Sequence, residues 1–272
     1  MRIPFWKMEG AGNDFILVDD RQETFPCTDK TWLISIAARR RGVGCEGIIL
    51  IQPSRAADIS MRFFNPDGTE VEMCGNGIRC LARLACEIKA APPDMKIETK
   101  AGILSAKVEG RLVKLEMPPP AAWRLKRTLK LPGQELTYSF VNVGVPHVVV
   151  ETNDLDVCDV AQMGRAIRYH EEFSPGGTNA NFITVTGDHA LRIRTYERGV
   201  EGETLACGTG ITASALVAAR LGKITPPVQV TTAGGDVLTV DFRLSGDEVS
   251  ELTLLGPARH VFEGVLEYPS HE

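Results

Sequence analysis

Two stretches of this chain repeat one another, and a repeated chain has few ways to fold. Residues 73–85 read MCGNGIRCLARLA, and residues 206–219 read ACGTGITASALVAA. Both contain Cys-Gly-x-Gly-Ile, with Cys74 and Cys207 133 positions apart. The likeness extends upstream in the same order. ADISMRFFN (57–65) and HALRIRTYE (189–197) are alternating, strand-like runs, and GIILI (47–51) aligns with NFITV (181–185). MEGAGNDFILVDD (8–20) resembles VNVGVPHVVVETND (141–154). Matched elements at nearly constant offset indicate an internal duplication.

At roughly 100–200 residues per domain, 272 residues fit two copies. Each reads as strand, Gly-rich turn, strand, helix, paired strands, Gly-rich turn, helix, then further strands. In the first copy Thr28 or Asp29 caps a helix predicted to run through ARRR (38–41) and end at Gly42. Asn65-Pro-Asp-Gly68 is a turn signature, and the second copy's outer helix is expected near 159–170. MPPP (117–120) is a stiff linker. The boundary falls there: a first lobe over 1–118, completed by about 258–272, and a second over 119–257. The segment RHVFEGVLEYP (259–269) lies beyond the second copy and is a candidate to return to the first domain's sheet.

The helices after the two cysteines carry almost no polar face. ITASALVAARLG (211–222) is apolar or small until Arg220, and IRCLARLACEI (78–88) is similar, with Cys80 and Cys86 as packing residues. A helix of that kind must be surrounded. The fold class is therefore α/β (α+β): two pseudo-symmetric domains, each a curved, mostly antiparallel sheet around a central helix that begins at Cys-Gly-x-Gly.

Composition narrows the function. A hydrophobic fraction of 43% with 24% charged residues excludes disorder, and a formal charge of −5 argues against bulk-charge binding of nucleic acid. No apolar run approaches the ~20 residues of a membrane span, and MRIPFWKMEG meets Glu9 too early for a signal peptide, so a cytoplasmic location is expected. Seven cysteines without a Cys-x-x-Cys pair argue against both a disulfide framework and a zinc site.

A helix N-terminus offers unpaired N–H groups and about half a positive charge, which lowers a thiol's pKa and attracts a carboxylate. Two such starts facing one another would hold an amino-acid carboxylate between them, its Cα between two sulfurs. That geometry suits inversion of a stereocentre, with a thiolate removing the proton from one face and a thiol delivering one to the other. No cofactor or metal is called for, and no lysine stands in a context suggesting a Schiff base.

FNPDGTEVEMCGNGIRC (64–80), ERGVEGETLACGTG (197–210) and GAGNDF (10–15) resemble the signatures of the diaminopimelate epimerase family, and the likeness spans essentially the whole chain. The resemblance implies the diaminopimelate epimerase-like fold. It also implies cofactor-independent interconversion of LL- and meso-2,6-diaminopimelate in lysine and cell-wall synthesis, with Cys74 and Cys207 as acid/base pair. It places Gly75, Asn76, Gly208 and Thr209 on the reacting end's carboxylate. His147 and Glu197 are implied near the thiols, as modulators of which is ionised. Asn13, Asn65, Asn179 and Arg198 are implied readers of the distal amino-acid end, with Glu197 also in the substrate-binding set. A homodimer is implied, with Phe262 at its contact. Without the resemblance, Asn65 is a turn residue, Arg198 a strand-end charge, Glu197 its solvated neighbour and His147 a packed or exposed imidazole.

Three positions depart from the commonest family pattern. Val145 stands where many members carry Asn, Glu46-Gly47 where Asp followed by Gly or Gln is usual, and Phe262 where some have Tyr. Two other readings stand beside the epimerase: a racemase of another amino acid, and a two-lobed protein whose thiols bind a metal or sense redox state. Gly42–Gly47 satisfies G-x-G-x-x-G, but it follows a helix and precedes a strand, the reverse of a dinucleotide fingerprint.

Overall fold

The first copy opens with a hairpin: β1 (Arg2–Gly10) pairs antiparallel with β2 (Asn13–Asp19) through Ala11 and Gly12, both at positive φ. Helix α1 (Lys30–Ala37) is capped by Asp29, whose carboxylate accepts from Trp32 N at 3.0 Å. The helix stops at Ala37 and does not run through the three arginines. Ala38 turns extended (φ −65°, ψ 121°), and Arg39 is drawn off to Asp14 at 2.6 Å. Then follow β3 (Gly47–Gln52) parallel to β2, β4 (Ile59–Phe64) antiparallel to β3, and the short β5 (Glu70–Val71) on β4. The turn at Asn65–Gly68 closes with Gly68 N donating to Asn65 O at 2.9 Å. Helix α2 (Gly75–Glu87) leads to β6 (Asp94–Thr99) parallel to β4, and β7 (Gly102–Glu109) and β8 (Leu112–Glu116) continue as a meander.

The second copy has β9 (Ala121–Leu131), β10 (Gln134–Asn142), β11 (Pro146–Glu151), α3 (Val160–Arg168), β12 (Asn179–Gly187), β13 (Ala190–Glu197), β14 (Gly202–Thr204), α4 (Gly208–Arg220), β15 (Val228–Thr231), β16 (Val237–Ser245) and β17 (Glu248–Pro257). Finally β18 (Arg259–Glu267) pairs antiparallel with β1. The computed structural model describes all residues except 73, 132, 247 and 270–272. It divides into two compact units, Met1–Leu115 with Gly256–Glu272, and Glu116–Leu255.

Strand pairing shows the duplication directly. Parallel β2–β3 sets Phe15 opposite Gly47, and parallel β11–β12 sets His147 opposite Asn179. Antiparallel β3–β4 sets Ile48 opposite Phe64, and β12–β13 sets Ala180 opposite Tyr196. All four correspondences have an offset of 132. GIILI (47–51) therefore corresponds to 179–183 and not to 181–185. A two-residue slip preserves which face each side chain occupies, so hydrophobic patterning does not detect it.

Each unit buries one helix against one face of its strands and covers the other face with a second. In the first unit α2 packs on β1, β2, β3 and β7 with Ile78, Leu81, Leu84 and Ala85 fully buried. Trp32, Leu33 and Ile36 of α1 join Ile16, Val18, Ile48 and Leu50 on the opposite face. Buried on both faces, β3 is apolar throughout apart from its first and last residues. In the second unit every residue of α4 from Gly210 to Ala219 is buried, and Val160 and Ile167 of α3 pack with Val148, Val150, Ala180, Phe182 and Tyr196. Arginines on α2 reach the chain just before β18: Arg79 Nε donates to Pro257 O at 3.1 Å, and Arg83 Nη1 to Ala258 O.

Candidate active site

Cys74 and Cys207 are the N-cap residues of α2 and α4. Both have extended backbones (φ −139°, ψ 121° and φ −117°, ψ 110°), and their carbonyls accept the first helical bonds, from Ile78 N and Ile211 N, each at 2.9 Å. Neither side chain caps its helix, so the N–H groups of the first turn face outward from the helix start. A Cβ at Gly75 would meet nothing within 4 Å, which leaves space for a ligand beside those groups.

In the first unit Cys74 Sγ lies 3.5 Å from Asn13 Oδ1 as donor, and Asn76 Nδ2 donates to the same oxygen at 3.4 Å. The other end of the Asn13 amide donates to Glu46, which orients its oxygen towards the thiol. Burial, then the neighbouring Asp14, raises the Glu46 pKa. Asp14 receives Lys7 at 2.6 Å and Arg39 at 2.6 Å. Burial works to raise its pKa, but these two cations outweigh it and hold it below its usual value. Arg79, with no exposed surface, donates to Asn76 Oδ1 at 3.0 Å and so braces the helix start from beneath. The structure thus gathers Asn13, Cys74, Gly75 and Asn76. Asn65 stays in its turn, half-buried.

In the second unit Cys207 is buried, with Sγ 3.5 Å from Thr209 Oγ1. Asn179 Nδ2 donates to Pro146 O at 3.0 Å, and its oxygen accepts from Arg198 N at 2.8 Å. Among the described residues these two bonds use one hydrogen and one lone pair of the carboxamide. The Arg198 guanidinium contacts Gly176 O at 3.3 Å, and Glu197 accepts from Thr204 Oγ1 at 2.9 Å. Among the described residues no three His, Cys, Asp or Glu side chains gather as a metal site requires.

His147 has no exposed surface, and burial, with Arg198 adding to it, depresses its pKa to about 3. It is neutral throughout the physiological range. An unfolded histidine titrates near ~6.5. Between the two values only the unfolded state takes up the proton, so stability is complete above ~6.5 and falls with acidification towards pH 3. The slope from this one group approaches ~1.4 kcal/mol per pH unit. Urea midpoints at pH 7 and 5 are expected to separate further in the native protein than in His147→Gln.

Burial pushes the Cys80 thiol up to about 12 and Cys45 to about 11, so both stay protonated as packing residues. Sequence reasoning passed over Asn181 and Thr195, which hydrogen-bond around His147, and Arg79 beneath Asn76. The signal for Asn181 was present: a second carboxamide, two residues after Asn179 in the strand NANFITV, at the position where the first copy has Ile49.

The family model described as diaminopimelate epimerase matches residues 5–122 and 139–261. The chain belongs to the diaminopimelate epimerase family. The diaminopimelate epimerase of Aquifex aeolicus (strain VF5) is 43% identical over 283 residues, spanning 98% of this chain and 100% of that protein. That of Archaeoglobus fulgidus is 41% identical over 280 residues, spanning 98% and 97%. Among solved structures, a phenazine biosynthesis protein of the PhzF family from Bacillus anthracis superposes with a TM-score of 0.77 at 18% identity, covering 98% of this chain and all of that one. A hydroxyproline epimerase from Agrobacterium vitis gives 0.69 at 16%, covering 97% and 92%. These likenesses show that the diaminopimelate epimerase family shares its fold with proteins of quite different sequence.

Proposed function

We propose that this chain is an isomerase that interconverts LL- and meso-2,6-diaminopimelate by proton transfer at Cα, with Cys74 and Cys207 as base and acid. One observation carries the reading: each copy of the duplicated fold starts its buried helix at a Cys-Gly whose thiol is not spent on capping. The family match and full-length relatives named for this activity support it.

The α-proton of an amino acid is weakly acidic, so the developing carbanion must be stabilised. N–H groups of Gly75, Asn76, Gly208 and Thr209, aimed at the reacting carboxylate, supply fixed dipoles that need no reorganisation, and one such donor is worth roughly 3–4 kcal/mol of barrier. Asn13, Asn65, Asn179 and Arg198 recognise the distal amino-acid end: the guanidinium takes a carboxylate, and the neutral amides set orientation. His147 and Glu197 modulate the thiols. No cofactor enters the scheme. We place the enzyme in the cytoplasm, as a homodimer with Phe262 at its contact; this ring is exposed on β18 beside Val261 and Val265.

The test is exchange with solvent. Incubated in heavy water with LL-diaminopimelate, the enzyme is expected to place deuterium at Cα of the meso product. Other L-amino acids are expected to remain unlabelled. Labelling of a different amino acid in preference would make this a racemase of that compound, and inversion without solvent hydrogen would sink the proton-transfer mechanism.

A further inference from the structure

The internal duplication provides a comparison within one molecule. At the three positions of the first unit equivalent to His147, Asn181 and Thr195 stand Phe15, Ile49 and Phe63, two of them fully buried and the third nearly so. The two phenylalanines meet edge to face at 6.1 Å. The helix glycines above correspond as well: a Cβ at Gly77 would come 2.8 Å from Ile49 Cδ1, and one at Gly210 would come 2.4 Å from Asn181 Oδ1. The same frame that is filled with hydrocarbon in one copy is filled with an imidazole, a carboxamide and a hydroxyl in the other. All three are buried. Packing alone does not require this exchange, because the apolar trio already completes the fold.

The hydrogen bonds around Asn181 leave one arrangement. Its side chain lies 2.8 Å from the Val148 carbonyl, which only accepts, so the atom there is the NH2. That nitrogen is also 3.2 Å from His147 Nδ1, and its second hydrogen points there. The amide oxygen accepts from Thr195 Oγ1 at 3.0 Å, which blocks rotation of the group. Nδ1 is therefore an acceptor. A neutral imidazole carries one proton, and it must sit on Nε2. That atom is buried and has no partner among the described residues.

We propose that Asn181 is a positioning residue of the reaction: it locks His147 as the Nε2–H tautomer, so that the imidazole presents a hydrogen-bond donor, not a base, to a negatively charged group of the reacting centre. The role in turnover rests on the proposed epimerase activity. The proton position does not, and it is read without substrate.

Long-range 1H–15N correlation spectra of the imidazole identify the protonated nitrogen. The native protein is expected to show Nε2–H from pH 6 to 8. Asn181→Asp places a carboxylate, which only accepts, beside Nδ1; the proton is expected to move to Nδ1 or the ring to become doubly protonated. In that variant kcat for LL-diaminopimelate is expected to fall at least 30-fold with KM changed less than 3-fold. Thr195→Val, which frees the amide without reversing it, is expected to retain Nε2–H and lose less activity. Should a variant fail to fold, the native spectrum still decides the tautomer. Protonation on Nδ1 in the native protein would overturn the proposal, as would an unchanged tautomer or unchanged kcat in Asn181→Asp. Nε2–H in a protein inert towards diaminopimelate would leave the tautomer lock standing and remove the proposed function instead.

Discussion

Cys74→Ser and Cys207→Ser are each expected to lower the rate of epimerisation by roughly 10²–10⁴-fold, the span that a positioned acid or base contributes. A serine hydroxyl fills the space of the thiol but is a poor source of anion at neutral pH. Neither sulfur caps its helix, so melting temperatures should stay within a few degrees of the native value. The scheme makes a sharper demand. A protein with one remaining thiol still has a group on one face of Cα that removes and returns a proton. In heavy water each variant should therefore exchange the α-hydrogen of only one stereoisomer, slowly and with retention. The two variants should choose opposite isomers. Full epimerisation in either would refute the two-thiol mechanism, and exchange of the same isomer by both would show that the thiols do not serve opposite faces.

Much of this arrangement was legible in the sequence. The two Cys-Gly-x-Gly helix starts, the buried character of α2 and α4, the Asn65–Gly68 turn and the outer helix α3 all follow from local rules: glycine beside an N-cap, the absence of a polar face, turn chemistry. Three features were not legible, each for a physical reason. The stop of α1 at Ala37 depends on Arg39 reaching Asp14, a contact 25 residues distant in sequence that no propensity encodes. The offset of 132 between β3 and β12 was missed by two residues because alternation has period two. That slip set Asn181 opposite Gly47 when its true counterpart is Ile49, and so hid the substitution of a polar trio for an apolar one. Arg79, on a helix that is otherwise mostly apolar, gives no sign in sequence that its partner is the carbonyl of Pro257. Local chemistry placed the thiols; the shell behind them is made by long-range contacts.

Arg79 is also where the largest loss of stability is expected. Its side chain has no exposed surface, and it links Asn76 on the first turn of α2 to the chain that enters β18. Arg79→Ala removes a large buried volume and the donors of the bonds to Asn76 Oδ1 and Pro257 O. Breaking a buried charged contact in this way costs about 3–5 kcal/mol, a large share of the ~5–15 kcal/mol that holds a domain together. Arg79→Met restores part of the volume and none of the hydrogen bonds, so it separates the two contributions; it is expected to recover less than half of the loss. Urea titration reads both. A second consequence distinguishes bracing from bulk. With Asn76 no longer held, the amides of the α2 first turn should exchange hydrogen faster than those of its middle turns, while the first turn of α4 keeps its native protection. An Arg79→Ala protein with native urea midpoint would show that the carbonyl of Pro257 and the Asn76 amide find other partners, and that the guanidinium does not brace the helix start.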